Sequence, residues 1–479
     1  MLFNSLEFLI FLPIVVAGYF ALNHKYRWIL LLIASYYFYM SWNYKYAVLI
    51  AFTTIINYTA GIGISQTKKS FLKNLYLIIG VVASLSVLFF FKYFNFFGES
   101  VNSILRSLNM IQRIPRYNFL LPVGISFYTF QTLSYTIDVY FGKQKVEYHL
   151  GIFALYVSFF PQLVAGPIER STNLLPQFFE KHNINYQRIR DGIFIMLWGY
   201  IKKVAIADRL SEYVNIVYNN PSQHEGWIVI IATFFFAIQI YCDFSGYSDI
   251  AIGTAKIMGF DLMTNFRRPY FSQNIREFWQ RWHISLSTWF RDYLYIPLGG
   301  NRVSKLRNYL NLFITFVVSG LWHGANWTFV IWGALHGFYL IFAKFTVDFR
   351  QKINQRIGLS KFPSLNRLLN ILITFIMVYF AWIFFRANSI SDAWLLIGKH
   401  FTFHNSEELN LFRISSDFNL SFISIAILIL VDFMEEQFRL SQKLLLQPAS
   451  FKWSLLIMLL GIIFIFGVWD EADFLYFQF

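Results

Sequence analysis

Three histidines, His283, His323 and His336, stand in one stretch of an otherwise apolar chain. A neutral imidazole within reach of a hydroxyl is the commonest general base in enzymes. A polar ring at membrane depth costs free energy unless it has a partner or a task. Glycines at 320 and 324 let backbone or ligand approach His323 closely. The sequence therefore indicates His323 as the residue that performs the chemistry.

Each histidine also has a plain structural explanation. His323 fits a buried ring held by backbone carbonyls, and His283 fits a structural histidine at the membrane interface. His336 fits a helix-packing role, because it lies well inside the next apolar segment. The residue types alone leave these alternatives open for His323 and His283.

The elements that position these residues are membrane helices. Of the 479 residues, 57% are hydrophobic and 14% are charged, whereas soluble domains are about 25% charged. We expect an all-α integral membrane protein, with residues 1–479 as a single domain. It should have roughly 10 to 13 membrane segments, some short or re-entrant, around an internal cavity. The candidate segments are Leu6–Leu22, Trp28–Trp42, Ala47–Ile64, Leu75–Phe91, Phe119–Phe141, His149–Ala165, Gly192–Ala207, Trp227–Met258, Tyr309–Leu321, Trp327–Phe345, Leu368–Phe385, Leu420–Phe433 and Trp453–Val468.

Charge predicts the topology. Phe260–Asn308 holds eight Lys/Arg against three acids, and Ile341–Asn370 holds six against one, so both should be cytoplasmic. Two apolar segments lie between them, so the connection that holds His323 points away from the cytoplasm or ends inside the membrane. Tyr309–Leu321 would span only about 20 Å, which predicts that His323 lies at the bottom of an outward-facing depression. His283 lies in the cytoplasmic stretch, so we expect the two histidines to be approached from opposite faces.

Six further residues are candidates for contacting substrate or lining a tunnel, and most of them have two possible roles. The aspartates could line a cavity or pair with buried Lys or Arg and fix helix positions. The arginines could hold an anionic acyl donor or act as positive-inside anchors. The six are Asp243, Asp249, Trp322, Arg276, Arg281 and Arg291.

Several function classes have no residues to support them. The single cysteine, Cys242, rules out an internal disulfide and a cysteine-based metal cluster. The histidines are far apart and form no HExxH motif, so we expect no metal site. No Gly-x-Ser-x-Gly elbow or P-loop is present. The net charge of +14 is spread over short clusters between apolar runs, which disfavours nucleic acid as a partner. Met1–Phe20 reads as a retained helix and not as a signal peptide.

At these motifs the chain resembles the membrane-bound O-acyltransferase family. It is most similar to the bacterial branch that contains the alginate O-acetyltransferase membrane subunit and the teichoic-acid D-alanyl transfer protein. The resemblance covers essentially the whole chain. The matching stretches are Phe159–Ile168 (FFPQLVAGPI), Tyr241–Gly253 (YCDFSGYSDIAIG), Asn265–Gly300, Ser319–Ala325 (SGLWHGA) and Phe474–Phe479 (FLYFQF).

The resemblance implies a multi-helix fold around a central tunnel, through which an acyl group passes from a cytoplasmic donor to an acceptor across the bilayer. The family's catalytic histidine corresponds to His323, and its second polar position corresponds to His283. The implied donor is acetyl-CoA or another acyl thioester, with no bound cofactor. The implied setting is the cytoplasmic membrane, with a polysaccharide such as alginate as acceptor and an SGNH-type periplasmic or extracellular partner. Two alternatives stay open: D-alanyl transfer to teichoic acid, and a transporter or flippase without acyl transfer.

Overall fold

The computed structural model describes residues 1–111, 113–118, 121–164, 166–403, 416–469 and 475, and within these ranges it is helical without a β-strand. This confirms the all-α prediction. The α-helices are α1 Leu6–Ala21, α2 His24–Asn43, α3 Ala47–Gln66, α4 Ser70–Leu88, α5 Phe94–Ser107, α6 Ile125–Tyr140, α7 Leu150–Ser158, α8 Phe160–Leu163, α9 Ser171–Gln177, α10 Tyr186–Tyr200, α11 Asp208–Asn219, α12 Trp227–Met258, α13 Ile275–Arg281, α14 Ile284–Phe290, α15 Lys305–His323, α16 Trp327–Phe345, α17 Val347–Arg356, α18 Pro363–Arg386, α19 Ile390–Lys399, α20 Ser416–Phe438, α21 Leu440–Leu445 and α22 Ala449–Phe466. Short π-helical segments occupy Phe89–Tyr93, Ile201–Ala207 and Arg291–Tyr295.

The chain forms two units. The first comprises Met1–Met196 with Ser248–Met263, and the second comprises Leu197–Tyr247 with Thr264–Phe479. The boundaries between them fall inside α10, inside the long helix α12 and in the segment that follows α12. His283, His323 and His336 all belong to the second unit, whereas the single-domain organisation over residues 1–479 stays a prediction.

Seven helical stretches of the described chain are long and apolar enough to cross a membrane. An apolar helix needs about 20 residues to span the hydrocarbon core. Large apolar side chains on these stretches are exposed at the protein surface, as expected where lipid covers them. The protein is therefore a multi-pass membrane protein. The seven stretches are His24–Gln66, Ser70–Ser107, Trp227–Met258, Trp327–Phe345, Pro363–Arg386, Asp417–Phe438 and Ala449–Phe466, and the apolar helix α1 is shorter.

Polar residues cross-link the helices of the first unit. The Asn57 amide donates to Ser84 Oγ at 2.9 Å, and Thr136 Oγ1 donates to Asn57 Oδ1 at 2.6 Å. Gln131 donates to the carbonyl of Tyr156 at 2.6 Å. Buried hydrogen bonds between helices stabilise membrane bundles. These polar positions of α6 are therefore satisfied within the packed unit.

Two predicted segments are interrupted. The predicted segment His149–Ala165 forms two helices, α7 and α8, with a break at Phe159. Two nearby prolines predict such a break. Residue 165 lies outside the described residues. Gly192–Ala207 starts within α10 and continues as a π-helix over Ile201–Ala207. Such wide turns occur mostly as single insertions, often at functional positions.

The second unit has an aromatic core. Three fully buried tryptophans lie in one cluster, namely Trp282 just after α13, Trp332 of α16 and Trp382 of α18. The Trp282 and Trp382 ring centroids are 5.0 Å apart, and those of Trp332 and Trp382 are 5.8 Å apart. This cluster supports both the short helices around position 283 and the α15–α16 hairpin.

Candidate active site

The α15–α16 hairpin carries His323 as the last residue of α15. Gly320 and Gly333 let the two helices touch, because a Cβ on Gly320 would lie 2.2 Å from the Phe329 carbonyl oxygen and 3.1 Å from Gly333 Cα. Asn326 then caps α16 by accepting a hydrogen bond from Thr328 N at 3.1 Å. Close helix approach through small residues is typical of membrane proteins, and here it sets the place of His323.

The length predicted for the helix before His323 was wrong. Instead of Tyr309–Leu321 the structure has Lys305–His323, which is about 28 Å long at 1.5 Å per residue. Ser304 caps its start by accepting from Arg307 N at 3.4 Å. The polar side chain of Asn308 is also accommodated, since it donates to the Gly300 carbonyl at 2.8 Å. Hydropathy therefore missed the first turn, and helix length no longer argues for a depression.

The His323 side chain is buried, with 2% of the residue exposed. Its ring centroid lies 5.1 Å from that of Trp322, 4.9 Å from Trp332 and 5.4 Å from Phe385, each with edge-to-face geometry. The structure thus places an aromatic enclosure where the sequence predicts an open depression. Trp322 forms one wall of this enclosure.

His283 is the N-cap residue of the short helix α14 and has a left-handed backbone conformation, φ 42°. A non-glycine residue in this region is strained, and such strain clusters at functional sites. The residue is fully buried, with its ring centroid 4.5 Å from Phe244 and 6.2 Å from Phe266. Burial in this aromatic setting lowers the pKa of His283 well below its usual value. The imidazole is therefore neutral at physiological pH.

The two histidines meet in the second unit. Their ring centroids lie 6.4 Å apart, and Trp322 touches both, with its ring 6.0 Å from His283. The structure thus brings together the two residues that the sequence singles out, although forty positions separate them in the chain. An imidazole in its neutral form carries one nitrogen that accepts a hydrogen bond or a proton, so the site contains two groups that could accept a proton.

His336 lies behind this pair. Trp279 Nε1 donates to His336 Nδ1 at 3.3 Å, and the His336 ring lies 4.9 Å from the Trp332 ring. Trp332 separates His336 from His323, so the packing role favoured by the sequence agrees with its surroundings.

Asp243 forms a buried ion pair, which is one of the two roles that the sequence predicts for it, the other being to line a cavity. Its Oδ1 lies 2.7 Å from Lys203 Nζ, and the same ammonium lies 2.8 Å from Asp208 Oδ1. Its Oδ2 accepts from the Leu475 backbone at 2.8 Å, which ties the described residue of the closing FLYFQF stretch to α12. The other residues of that stretch lie outside the described residues. Asp249 is half-buried and belongs to the first unit.

The three arginines have different surroundings. Arg281 Nη2 lies 2.7 Å from Glu277 and 2.9 Å from Glu436, so carboxylates of two helices already engage it. Arg291 is exposed and pairs with its neighbour Asp292 at 2.8 Å. Arg276 is exposed on α13. Arg281 is therefore engaged in ion pairs within the protein, whereas Arg276 and Arg291 are exposed, and their role as donor ligands or positive-inside anchors stays a prediction.

Sequence reasoning missed Asn265. Its side-chain oxygen lies 3.1 Å from His283 Nδ1 and accepts hydrogen bonds from the Ser285 backbone N–H and hydroxyl at 3.2 and 2.9 Å. The residue is fully buried and lies in a non-helical segment before α13. No periodic pattern marks it, and the sequence shows only an asparagine eighteen positions before His283.

Residues 143–390 match the family model of MBOAT, the membrane-bound O-acyltransferase family. The match contains His283, His323, Asn265 and the α15–α16 hairpin. The chain belongs to this family, and it is an O-acyltransferase of the membrane.

Among curated proteins, the chain is similar to the probable alginate O-acetylase AlgI of Pseudomonas aeruginosa, with 43% identity over 84% of this chain and 75% of that protein. It is similar to the peptidoglycan O-acetyltransferase of Helicobacter pylori, with 37% identity over 82% of this chain and 78% of that protein. A more distant relative is the teichoic acid D-alanyltransferase of Streptococcus thermophilus, with 31% identity over 58% of this chain and 70% of that protein. All three names describe acyl transfer: O-acetylation in the first two and D-alanylation in the third.

Proposed function

We propose that this enzyme transfers an acetyl group from a cytoplasmic thioester, such as acetyl-CoA, to hydroxyl groups of an exported polysaccharide. The proposal rests on one observation above all: two imidazoles, His323 and His283, are buried with their ring centroids 6.4 Å apart inside the residues that match the family model. The names of the O-acetylating relatives favour acetyl as the cargo. The setting would be the cytoplasmic membrane.

The chemistry that suits this pair is general-base acyl transfer. Neutral His323 accepts the proton of the attacking hydroxyl while its oxygen forms a bond to the acetyl carbonyl carbon. The carbon–sulfur bond then breaks, and the leaving thiolate regains a proton from the imidazolium. Positioned general-base help contributes about 10²–10⁴-fold to a rate. The surrounding aromatic rings exclude water, which would otherwise hydrolyse the thioester.

The donor would arrive from the face that carries the basic stretch Phe260–Asn308, with eight Lys/Arg against three acids. Within this stretch the exposed Arg276 and Arg291 are suited to bind the phosphates of a CoA donor. His283 lies in the same stretch and would stand on the donor side of the site. The acceptor would approach His323 from the opposite face.

The acceptor would be an exported polysaccharide such as alginate, to which the name of the Pseudomonas relative refers. A glycan such as peptidoglycan has the same hydroxyl chemistry. An SGNH-type partner outside the cytoplasm would complete delivery if the polymer cannot reach His323 itself. D-alanyl transfer to teichoic acid is the alternative cargo, and the lower identity and shorter coverage of that relative make it second.

An assay with purified protein in liposomes tests both the identity of the transferred group and the class of reaction. With labelled acetyl-CoA on the outside and a polysaccharide acceptor inside, acetyl transfer should release CoA and place label on the enclosed acceptor. Transfer from a D-alanyl carrier protein but not from acetyl-CoA would favour the alternative cargo. Label that enters the lumen while its donor stays intact would indicate transport and refute the proposal.

A further inference from the structure

The side chain of Asn265 makes a three-way contact with the segment that carries His283. Its Oδ1 lies 3.1 Å from His283 Nδ1, 3.2 Å from Ser285 N and 2.9 Å from Ser285 Oγ. The backbone reinforces this arrangement, since Ile284 N donates to the Asn265 carbonyl at 2.9 Å. The amide is thus held against the imidazole by bonds that do not involve the ring itself.

The Ser285 backbone decides which atom of the Asn265 amide faces His283. A backbone N–H can only donate, so the atom it meets is the carbonyl oxygen and not the NH2 group. An oxygen at 3.1 Å from Nδ1 needs a hydrogen on that nitrogen, because two lone pairs would otherwise face each other. The Ser285 hydroxyl lies farther from the ring, at 3.4 Å, than from Asn265 Oδ1. The hydroxyl therefore donates to the amide oxygen and leaves Nδ1 protonated.

A neutral imidazole carries one N–H, and its other nitrogen carries a lone pair. We propose that Asn265 is a positioning residue of the acyl-transfer site, which holds His283 in the tautomer protonated on Nδ1 and so presents Nε2 as a hydrogen-bond acceptor. The inference rests on the function proposed above, in which His283 takes part. It adds the protonation pattern of His283 and the residue that sets it.

This tautomer gives His283 and His323 different roles at the site. An Nε2 with a lone pair accepts a hydrogen from a hydroxyl, a thiol or the ring of His323, and it cannot donate one to the thioester carbonyl. His283 therefore supports the base His323 as a second acceptor. Of the four rings described above as neighbours of His283, His323 is titratable, whereas Phe244, Phe266 and Trp322 carry no charge.

Two substitutions of Asn265 separate tautomer control from packing. Asn265→Leu removes the acceptor. Loss of the hydrogen-bond partner that orients a metal-bound histidine costs on the order of 10–100-fold in activity, and we expect a loss of similar size here. We expect that loss in kcat, with little change in KM for acetyl-CoA. Asn265→Asp keeps an acceptor on Nδ1 but adds a negative charge, which favours protonated His283. The acid limb of the kcat–pH profile of Asn265→Asp should therefore lie at higher pH than that of the wild type, and the activity of the variant should recover as the pH rises.

Asn311 provides the matched control, because it is an equally buried asparagine of the second unit, whose amide donates to the Leu298 carbonyl at 3.0 Å. Asn311→Leu should change thermal stability without moving the pH profile. A second control is the double variant with His283→Ala. Because Asn265 acts through the imidazole, Asn265→Leu should lower single-turnover CoA release much less in that background than in the wild-type chain.

The results distinguish this inference from the proposed function. If Asn265→Leu loses no more activity than Asn311→Leu, or if the Asn265→Asp pH profile coincides with that of the wild type, the inference is overturned. An impaired His283→Ala protein with fully additive losses would also overturn it while leaving the proposed function in place. A fully active His283→Ala protein would instead contradict the function proposed for His283.

Discussion

Replacement of Lys203 by methionine tests whether the buried ion-pair cluster of Lys203, Asp208 and Asp243 stabilises the fold. The Lys203 ammonium lies 2.8 Å from Asp208 and 2.7 Å from Asp243, and its side chain is 1% exposed while both carboxylates are 3% exposed. Methionine keeps most of the side-chain volume but leaves two buried carboxylates facing each other. Breaking a buried pair by removing one partner costs about 3–5 kcal/mol. We expect Lys203→Met to lower the stability of the purified protein by an amount in this range.

The assay is thermal unfolding in detergent, followed by tryptophan fluorescence. The matched control is Lys399→Met, because Lys399 pairs with Glu225 at 3.3 Å with side chains 26% and 15% exposed. A pair of that kind contributes about 0–1 kcal/mol. The triple variant that also carries Asp208→Asn and Asp243→Asn should recover part of the loss, because it no longer contains a buried unpaired charge. If Lys203→Met is no less stable than Lys399→Met, the cluster does not stabilise the fold and the reasoning fails.

Three further predictions follow from the site. Gly320→Ala should abolish most activity, because the added methyl group would lie 2.2 Å from the Phe329 carbonyl oxygen and force α15 and α16 apart. Arg276→Gln should raise KM for acetyl-CoA severalfold while leaving the unfolding temperature unchanged, whereas Arg281→Gln should lower that temperature, since two carboxylates engage Arg281. The stability of the protein should fall as the pH drops below about 6.5, because unfolded His283 binds a proton there that the buried ring excludes. The measurement compares the unfolding temperatures of the wild type and His283→Gln across pH 5–8, roughly the range in which histidine titrates.

Each of these has an internal control or a contrary result. Gly398→Ala adds a methyl group to a position with nothing within 4 Å, so it should be active, and an equally active Gly320→Ala would contradict the close helix approach. Equal effects of the two arginine substitutions on KM would contradict their assigned roles. An unfolding temperature with the same pH dependence in His283→Gln and wild type would show that His283 does not set it.

The sequence predicts most of the helices because apolar composition and length are local properties. It also predicts the importance of His283 and His323, since buried polar rings in membrane proteins need a reason. The start of α15 was misplaced because Lys305 and Asn308 lower hydropathy, although a serine cap and buried amide bonds keep that turn helical.

Partners across the chain were not predictable. Nothing in one sequence shows that Lys203 reaches Asp243, or that the amide of Asn265 meets a ring eighteen residues later. Both contacts depend on how helices pack, and packing follows from the tertiary arrangement and not from spacing. The aromatic enclosure of His323 is of the same kind, since its walls come from α15, α16 and α18.

The measurement that tests the central claim most directly is the single-turnover rate of acetyl transfer with His323→Gln, using His336→Gln as the control from the same hairpin. Glutamine at 336 still offers Trp279 an oxygen to bind, so that protein should keep its activity to within a fewfold. His323→Gln should insert normally and lose about 10²–10⁴-fold. If it transfers acetyl at the wild-type rate, the buried imidazole is not the base and the account is wrong.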